Sequence, residues 1–274
     1  MADYAPLTYL FVPGNRPERF ARALASGAER VIIDLEDAVA PADKAAARAA
    51  IAQWMAGASE ARKNLLLRIN DAATDWHDQD LALARAVRAA CLMLPKCEAP
   101  DQVAAVRAGL PKDASVLPLI ETARGMVALY EIAAAPGVTR LAFGSLDYMA
   151  DLDLPAGSLA LDYAAAQIVV ASRAAGLPAP VAGVTPELDA ARVAADMAHA
   201  RSLGFGAKMC VHPSQVAVVR AALRPSAEEL AWAQRVLHAW KASTGGALQL
   251  DGKMVDRPVV LKAERIAAQA ARTK

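Results

Sequence analysis

Eight short apolar runs, each followed by a stretch with helical spacing, constrain the fold of this chain more than any other feature. A strand followed by a helix that leads to a parallel neighbouring strand is the βα unit. The runs span residues 8–12, 31–35, 65–69, 91–94, 116–120, 140–143, 180–184 and 206–209. Eight such units predict an α/β protein built as a closed (β/α)8 TIM barrel with a short C-terminal helical extension.

A doubly wound open sheet is the alternative architecture. Such sheets usually carry a G-x-G-x-x-G turn after the first strand, whereas residues 13–16 here read Pro-Gly-Asn-Arg. The stretches 41–55, with Pro41 early in the helix, and 75–90 are long enough for crossover helices. The closed barrel is therefore preferred.

The domain organisation follows from where the eighth unit ends. Residues 1–224 are expected to form the barrel, and residues 225–274 a C-terminal helix and tail. Ser226 is a plausible N-cap for a helix over 227–242, which ends before the Gly245-Gly246 pair. A tail and a short helix-like segment follow. We expect this region to cover the active site of a neighbouring subunit.

Composition excludes several classes of protein. Lys and Arg total 30 against 29 Asp and Glu, a net charge of +1, so no global field attracts nucleic acid or an anionic membrane. Three cysteines, an odd number, indicate reduced thiols in a reducing compartment. The first residues lack a basic segment followed by an apolar one. The expectation is a soluble cytoplasmic protein with no membrane or nucleic-acid partner.

Ionisable and polar residues collect just after the predicted strands. In barrels of this kind the loops after the strands build the active site. The residues at these positions are Glu36, Asp37, Arg68, Asn70, Lys96, Glu121, Asp147, Lys208 and His212. Any one of them could be a structural ion pair or a helix cap. Their recurrence on consecutive strands favours a functional site.

Two carboxylates at adjacent strand ends predict a magnesium site. Glu121 follows a strongly apolar strand, so its charge must be paired or bound to a cation. Asp147, one strand further, can face the same point. No His or Cys occupies a matching position, and the four histidines lack zinc-ligand spacing. An oxygen-only site completed by water suits Mg²⁺.

The residues around Asp147 and the end of strand three suggest how a substrate is held. Gly144, with Ser145 and Leu146 after it, lets backbone N–H groups approach an anion such as a carboxylate, or simply makes a tight turn. Arg68 is a candidate for holding developing enolate or carboxylate charge, because guanidinium stays protonated and presents a fork of donors. A structural ion pair is the other interpretation of Arg68.

Seven segments in order carry a resemblance to a known family. They are residues 11–20, 34–39 with Pro41, Lys44 and Arg48, 67–70, 94–96, 119–125, 143–147 and 212–215. Over nearly its full length the chain resembles the citrate lyase β-subunit-like branch of the HpcH/HpaI aldolase family, alongside malyl-CoA and citramalyl-CoA lyases. The resemblance implies a (β/α)8 barrel, usually a homotrimer, that cleaves or forms a 3-hydroxyacyl thioester.

The resemblance also implies roles for individual residues at the strand ends. By motif position, Glu121 and Asp147 would ligate Mg²⁺. Arg68 would lie over the reacting carbonyl. Glu36 and Asp37 would hold metal-bound waters in an outer layer.

Three further residues take their roles from the resemblance. Residues 252–258 resemble a C-terminal family motif whose acid, here Asp256, reaches a neighbouring subunit's active site. Arg16 and Arg19 are candidates for the phosphates of coenzyme A. A surface ion pair is the alternative role for these two arginines.

The expected reaction is a retro-Claisen cleavage of a small carboxylated 3-hydroxyacyl-CoA thioester, of malyl-, citramalyl- or citryl-CoA type, to a 2-keto acid and an acyl-CoA. One alternative is a subunit of a larger complex that acts on an acyl-carrier-protein thioester. Another is a Schiff-base aldolase that uses Lys96 or Lys208.

Overall fold

A closed parallel barrel forms the larger part of the molecule. The computed structural model describes residues 5–57, 63–155, 157–243 and 246–272. Its strands are β1 (Thr8–Pro13), β2 (Arg30–Asp34), β3 (Leu65–Arg68), β4 (Cys91–Leu94), β5 (Ser115–Ile120), β6 (Ala142–Phe143), β7 (Val181–Ala182) and β8 (Ala207–Cys210). They pair in parallel in chain order, and β1 also pairs with β8. The predicted (β/α)8 barrel is confirmed. The first four residues and Gly245, on which two expectations rest, lie outside the described ranges.

Helices alternate with the strands. They are α1 (Phe20–Leu24), α2 (Lys44–Gly57), α3 (His77–Ala86), α4 (Pro100–Ala108), α5 (Ala123–Val127), α6 (Leu129–Ala134), α7 (Ser145–Asp151), α8 (Leu159–Ala174), α9 (Ala190–Leu203) and α10 (Pro213–Leu223). The predicted crossover helix over 41–55 is a 3-10 turn, Pro41–Asp43, that continues into α2. Proline starts this turn without loss, since the first N–H of a helix has no partner within it.

Strands β6 and β7 are shorter than the sequence predicts. The expected runs were 140–143 and 180–184, but each strand has two residues. Pro180 has no N–H to give to the sheet, so the ladder begins at Val181, whose N–H donates to the carbonyl of Leu141. The apolar pattern of the sequence does not show that Pro180 lacks the backbone N–H that a strand residue donates.

The barrel interior is filled by side chains from every strand. This buried cluster contains Tyr9, Ile32, Leu66, Met93, Leu117, Leu119, Ala142, Val181, Ala207 and Met209. Alternate residues of a strand point to opposite faces, so each strand contributes one or two side chains inward. The interior is therefore a packed apolar layer that leaves sites to the two ends of the barrel.

The chain divides into two compact units, Met1–Val219 and Arg220–Lys274. In the second unit, α11 (Ala227–Ala242) starts at Ser226, whose hydroxyl accepts from the Glu229 N–H while the Glu229 carboxylate accepts from the Ser226 N–H. This reciprocal pair is a capping box. The predicted helix over 227–242 and its N-cap are confirmed.

The predicted tail of the second unit is folded. Strands β9 (Leu248–Leu250) and β10 (Lys253–Val255) form an antiparallel hairpin. Asp251 and Gly252 both have positive φ, 50° and 75°, as a two-residue type I′ turn requires. Helix α12 (Arg257–Arg272) follows and contributes Val260, Ala263 and Ile266 to a core shared with α11. The Asp251-Gly252 pair between the short runs Leu-Gln-Leu and Lys-Met-Val was the available signal for the hairpin.

Membrane insertion can be tested against the helices directly. Within the described ranges, every helix is too short or too polar to cross a bilayer.

Candidate active site

A cavity of about 390 Å³ opens at the carboxyl ends of the strands. Its walls come from loops after several strands, as expected for the mouth of a (β/α)8 barrel. The lining includes these residues singled out from the sequence: Asp37, Arg68, Glu121, Gly144, Ser145, Leu146 and Asp147. The structure therefore brings both proposed metal ligands and the proposed enolate-binding arginine to one cavity.

Glu121 carries a buried carboxylate with one oxygen left without a partner. It follows β5 directly and is 1% exposed. Its Oε1 accepts a hydrogen bond from the Lys96 N–H at 2.7 Å. Its Oε2 has no hydrogen-bond partner among the described residues. Burial, together with the charges of Glu36 and Asp147, raises the pKa of Glu121 to about 8.

Asp147 follows β6, the strand next to β5, and lines the same cavity as Glu121. It is in the first turn of α7 and is half-buried, with its side chain on the cavity wall. Its charge is close enough to contribute to the raised pKa of Glu121. Two like charges that share a cavity disfavour each other, and a cation between them removes the penalty.

Position 144 requires glycine because the Glu121 side chain packs against it, and not because of its backbone angles. A Cβ at this position would lie 2.2 Å from Oε2 and 2.6 Å from Cβ of Glu121. The sequence suggested that glycine lets backbone N–H groups approach an anion. The packing gives a second reason, which is that glycine leaves the path of the Glu121 side chain open.

Arg68 is held rigidly over the cavity by three carboxylates. Its Nε and Nη2 donate to the two oxygens of Asp34 at 2.7 Å each. Its Nη1 lies 2.8 Å from Glu36 Oε2 and 3.5 Å from Asp37 Oδ2. The guanidinium also stacks 4.9 Å from the centre of the Phe11 ring. Burial would lower the pKa of Arg68, but Asp34 and Glu36 outweigh it and raise the pKa.

Asp34 is a site residue whose importance the sequence did not reveal. It ends β2 in register with Arg68 at the end of β3, and it is 1% exposed. Its two oxygens also accept from the N–H groups of Glu36 and Ala38. The available signal was an acid at the end of an apolar strand, two residues before Glu36 of the predicted Glu36-Asp37 pair. Asp34 fixes both the arginine and the loop after β2.

Lys96 connects two of these carboxylates. Its Nζ donates to Glu36 Oε1 at 2.9 Å, while its backbone N–H binds Glu121. The residue has φ of 43°, a left-handed conformation that costs free energy for a side chain with a Cβ. Burial would lower the pKa of the Lys96 amine, but Glu36 outweighs this effect and raises it.

A polar network behind the mouth holds the loop after β2. Lys44 is 4% exposed and donates to the carbonyls of Leu35 and Glu36 and to Asn70 Oδ1, at 2.6 to 2.8 Å. Asn70, expected at the mouth, instead donates to Leu35 and to the buried Asp80. Because Lys44 and Asn70 both donate to backbone carbonyls of residues 35 and 36, the network holds the segment that carries Glu36.

Other predicted residues lie away from the cavity wall. Arg16 and Arg19 are exposed, and Arg19 lies 3.8 Å from Glu18. Lys208 is buried and donates to the Gly183 carbonyl at 2.7 Å, facing a different cavity beside α8 and α9. Burial lowers the pKa of Lys208. His212 is exposed and bonds to Ser214.

The cysteines take no part in the site. All three are free thiols, as predicted. Burial raises the thiol pKa to about 11 for Cys91 and to about 12 for Cys97 and Cys210. A raised pKa leaves little thiolate at neutral pH, so these residues are poor nucleophiles.

Asp256 belongs to the second unit. It follows β10 and caps α12, with Oδ1 accepting from the Val259 N–H at 3.3 Å. It is half-buried. The local role of Asp256 is therefore that of an N-cap, which holds its carboxylate at the start of a helix.

The donor set at the mouth is compatible with Mg²⁺. Glu121 offers a buried oxygen with no other partner in the described ranges, and Asp147 adds a second carboxylate. Within those ranges, no group of three or more His, Cys, Asp and Glu is arranged to hold a metal. Mg²⁺ usually keeps several waters and takes one or two protein carboxylates, so two suffice.

A closed barrel whose mouth combines an unpartnered buried carboxylate with a clamped arginine defines a (β/α)8-barrel enzyme. The chain matches the HpcH/HpaI aldolase/citrate lyase family over residues 7–213 and belongs to it. The family is enzymatic, so the resemblance noted from the sequence motifs is confirmed.

Individual relatives cover almost the whole chain. The citrate lyase subunit beta-like protein of Mycobacterium tuberculosis (strain H37Rv) is 38% identical over 269 residues, 96% of this chain and 94% of the relative. A (3S)-malyl-CoA thioesterase of Cereibacter sphaeroides (strain ATCC 17025) is 31% identical over 94% of this chain and 95% of its own. The crystal structure of protein CitE from M. tuberculosis in complex with magnesium, acetoacetate and coenzyme A matches with a TM-score of 0.87 and 36% identity, over 97% and 98% of the two chains.

Proposed function

We propose that the protein is a Mg²⁺-dependent carbon–carbon lyase that cleaves, or forms, a small carboxylated 3-hydroxyacyl-CoA thioester. The observation that carries the proposal is the buried Oε2 of Glu121, which lacks a partner among the described residues and faces a cavity shared with Asp147 and Arg68. A hydroxyl, a carboxylate and a thioester carbonyl of one substrate can reach these groups together. The products are a 2-keto acid and an acyl-CoA.

Glu121 and Asp147 would hold the metal ion. A bound Mg²⁺ supplies Lewis-acid polarisation of the keto-acid half and fixes its orientation. Glu36 and Asp37 are the proposed holders of water around it. Asp37 is the better placed of the two, because its side chain is 64% exposed whereas both Glu36 oxygens face Arg68 and Lys96.

The chain's own groups have distinct proposed tasks in bond cleavage. The backbone N–H groups of Ser145 and Leu146, in the first turn of α7, orient the substrate carboxylate at the cavity wall, whereas the Gly144 N–H donates to the Ile120 carbonyl. When a base takes the hydroxyl proton, the hydroxyl oxygen forms the keto C=O, the C2–C3 bond breaks, and its electrons make the thioester half an enolate. Protonation of the enolate carbon then gives the acyl-CoA. Until that proton arrives, the negative charge rests on the thioester oxygen. Arg68, already fixed by Asp34, stabilises that oxygen without reorganisation.

The solved structure of CitE supports the choice of ligands, since it holds magnesium, acetoacetate and coenzyme A. By this relationship we assign Mg²⁺ as cofactor and coenzyme A as part of the substrate. Arg16 and Arg19 remain candidates for its phosphates, because both side chains are exposed near the end of β1. Guanidinium groups bind phosphate through two parallel hydrogen bonds.

The purified protein is incubated separately with malyl-, citramalyl- and citryl-CoA in the presence of Mg²⁺. The assay measures the 2-keto acid that is released. We expect turnover of at least one thioester, its loss after exhaustive chelation and its recovery with Mg²⁺. Full turnover in the chelated protein would contradict the proposal.

Hydrolysis of the thioester is a second candidate, favoured by the relative named (3S)-malyl-CoA thioesterase. A thioesterase breaks the C–S bond and releases free thiol and hydroxy acid. A lyase releases keto acid and leaves the thioester intact. Measuring free thiol and keto acid in one reaction therefore separates the two activities.

Two further alternatives remain testable in the same preparation. A subunit that needs an acyl carrier protein would leave free CoA thioesters unreacted. A Schiff-base aldolase would be trapped by borohydride with a keto acid. Lys96 is a poor amine nucleophile because its pKa is raised, whereas Lys208 has a lowered pKa. Trapping at Lys208 would replace the metal mechanism.

Asp256 is proposed to transfer protons in the active site of a neighbouring subunit of a homotrimer. The support is the family resemblance of residues 252–258 and the fixed position that the α12 cap gives its carboxylate. Asp256→Ala should bind Mg²⁺ normally yet lose turnover. Mixing inactive Asp256→Ala with inactive Glu121→Ala under verified subunit exchange should restore activity. No restoration would rule out a role between subunits.

A further inference from the structure

A second cavity, of about 410 Å³, lies at the opposite end of the barrel. Its lining comes from residues at, or just before, the amino ends of the strands. It includes Pro6, Tyr9, Arg30, Lys63, Asp113 and Arg140. We call this the basal cavity. The proposed reaction uses none of these residues.

Arg140 is a buried cation in the basal cavity whose partners are all neutral. It is 4% exposed. Its Nε donates to the Ala179 carbonyl at 2.6 Å, and its Nη1 to the Pro6 carbonyl and, at 3.4 Å, to the Tyr9 hydroxyl. Among the residues that the structure describes, no carboxylate lies within ion-pair distance of it. A buried charge without a counter-charge is costly.

Arg30 repeats this pattern on the same wall. Its Nη1 donates to the Glu29 carbonyl and to Asn64 Oδ1, both at 3.1 Å, and both acceptors are neutral. The Glu29 carboxylate is engaged elsewhere, because it accepts from the Leu7 N–H at 2.9 Å. No carboxylate within the described ranges pairs with Arg30.

The charges that line the basal cavity do not cancel. Arg30, Lys63 and Arg140 contribute three positive charges and Asp113 one negative charge, so the lining has an excess of two. A phosphate group carries between about 1.5 and 2 negative charges at neutral pH and offers three strong acceptor oxygens. Guanidinium forks match that geometry.

We propose that the basal cavity is a binding site for a phosphate-bearing small anion, held by Arg140, Arg30 and Lys63. The site is separate from the mouth and does not depend on the proposed reaction. The cavity is large enough for a phosphate group with a small organic part. The ligand supplies the counter-charge that the described residues do not give to Arg140.

The test is calorimetric titration of the full-length protein with inorganic phosphate, at constant ionic strength set with chloride. Arg140→Gln is the obvious variant, but Arg140 also joins Pro6 to Ala179 and its loss could unfold the barrel. Arg30→Gln/Lys63→Gln is therefore the main variant, since Lys63 is exposed and Arg30 is partly exposed. Arg22→Gln/Arg173→Gln removes the same number of charges at exposed positions that line neither cavity, and it serves as the matched control.

We expect the wild-type protein to bind one phosphate in this cavity, and the basal variant to bind it at least about tenfold more weakly, because charge-assisted hydrogen bonds are lost. The control variant should keep the wild-type affinity. Phosphate should also raise the Tm of the wild type above that in chloride, and should not do so in the basal variant. The proposal is overturned if phosphate does not bind, or if the control variant loses binding while the basal variant keeps it.

Discussion

The two ends of the barrel bury ionisable groups of opposite charge, a carboxylate at the mouth and a guanidinium at the base. At the mouth, the buried Glu121 has an oxygen with no described partner and a raised pKa. At the base, the buried Arg140 has only neutral partners in the described ranges. The first arrangement is suited to a cation and the second to an anion. One set of strands thus ends in two sites of opposite polarity.

An apolar layer separates the two ends. Side chains such as Ile32, Leu66 and Met93 fill the barrel between them and are almost fully buried. Such a layer packs at crystal-like density, and its members Ile32, Leu66 and Met93 carry no charge that could link the ends. We therefore expect substitutions at the mouth to change activity with little change in stability, and substitutions at the base to do the reverse.

The largest expected effect is at Glu121. Glu121→Gln keeps the shape and the bond from the Lys96 N–H but removes the charge, so Mg²⁺ binding and turnover should fall by at least about 10²-fold. Folding should be unaffected, because the amide resembles the protonated acid. Turnover and Mg²⁺ titration measure the first effect, and urea unfolding the second. Glu98→Gln, at an acid whose side chain is 31% exposed, is the matched control. Undiminished turnover in Glu121→Gln would contradict the assignment.

A similar loss is expected at Arg68. Arg68→Lys keeps the charge beside Asp34 and Glu36 but loses the fork of donors. If Arg68 stabilises charge that develops during the reaction, kcat should drop by about 10²-fold. Steady-state kinetics with the best thioester measure it. An unchanged kcat with a raised KM would identify Arg68 as a binding residue instead.

A substitution at the base of the barrel is expected to change the stability of the protein. Arg140→Met removes the bonds to Pro6, Ala179 and Tyr9, so the free energy of unfolding should fall by about 2–4 kcal/mol. Urea unfolding in phosphate-free buffer measures this loss. The kcat of the folded protein should stay unchanged, since the apolar layer isolates the mouth. A kcat that falls with stability would show that the two ends are coupled.

The smallest effect is expected at Gly144. Gly144→Ala places a Cβ 2.2 Å from Glu121 Oε2, so the carboxylate must shift and turnover should fall by about tenfold. Gly57→Ala is the control, because a Cβ there meets nothing within 4 Å. Equal activity in the two variants would mean that the position of Glu121 tolerates displacement.

The barrel and the cluster at its mouth were predictable because both follow from local pattern. Apolar runs mark strands, and their ends meet at one rim, so Glu121, Asp147 and Arg68 could be placed together from their spacing. The short β6 and β7 were not foreseen, since a lost donor barely alters an apolar pattern. The hairpin before Asp256 was not foreseen because its two three-residue strands contain Gln249 and Lys253 and so lack an apolar run.

Pairing between strands could not be predicted in the same way. That Asp34 clamps Arg68 depends on the register of β2 with β3. That Asn70 turns away from the mouth depends on the buried Lys44 and Asp80. Arg30 begins β2, and Lys63 and Arg140 precede β3 and β6, so the basal cations lie outside the positions where active-site residues are sought. The partners in each case come from distant segments that only the closed barrel brings together.

The left-handed backbone of Lys96 has a consequence for how such a mouth can change during evolution. The N–H that anchors Glu121 is present in every residue type except proline, whereas the amine that neutralises Glu36 belongs to lysine. Glycine or asparagine at this position would relieve the positive φ while keeping the anchor. Substitution at position 96 can therefore remove the amine and preserve the orientation of the Glu121 carboxylate. Related chains can in this way alter the charge beside Arg68 without changing the side of the mouth that Glu121 occupies.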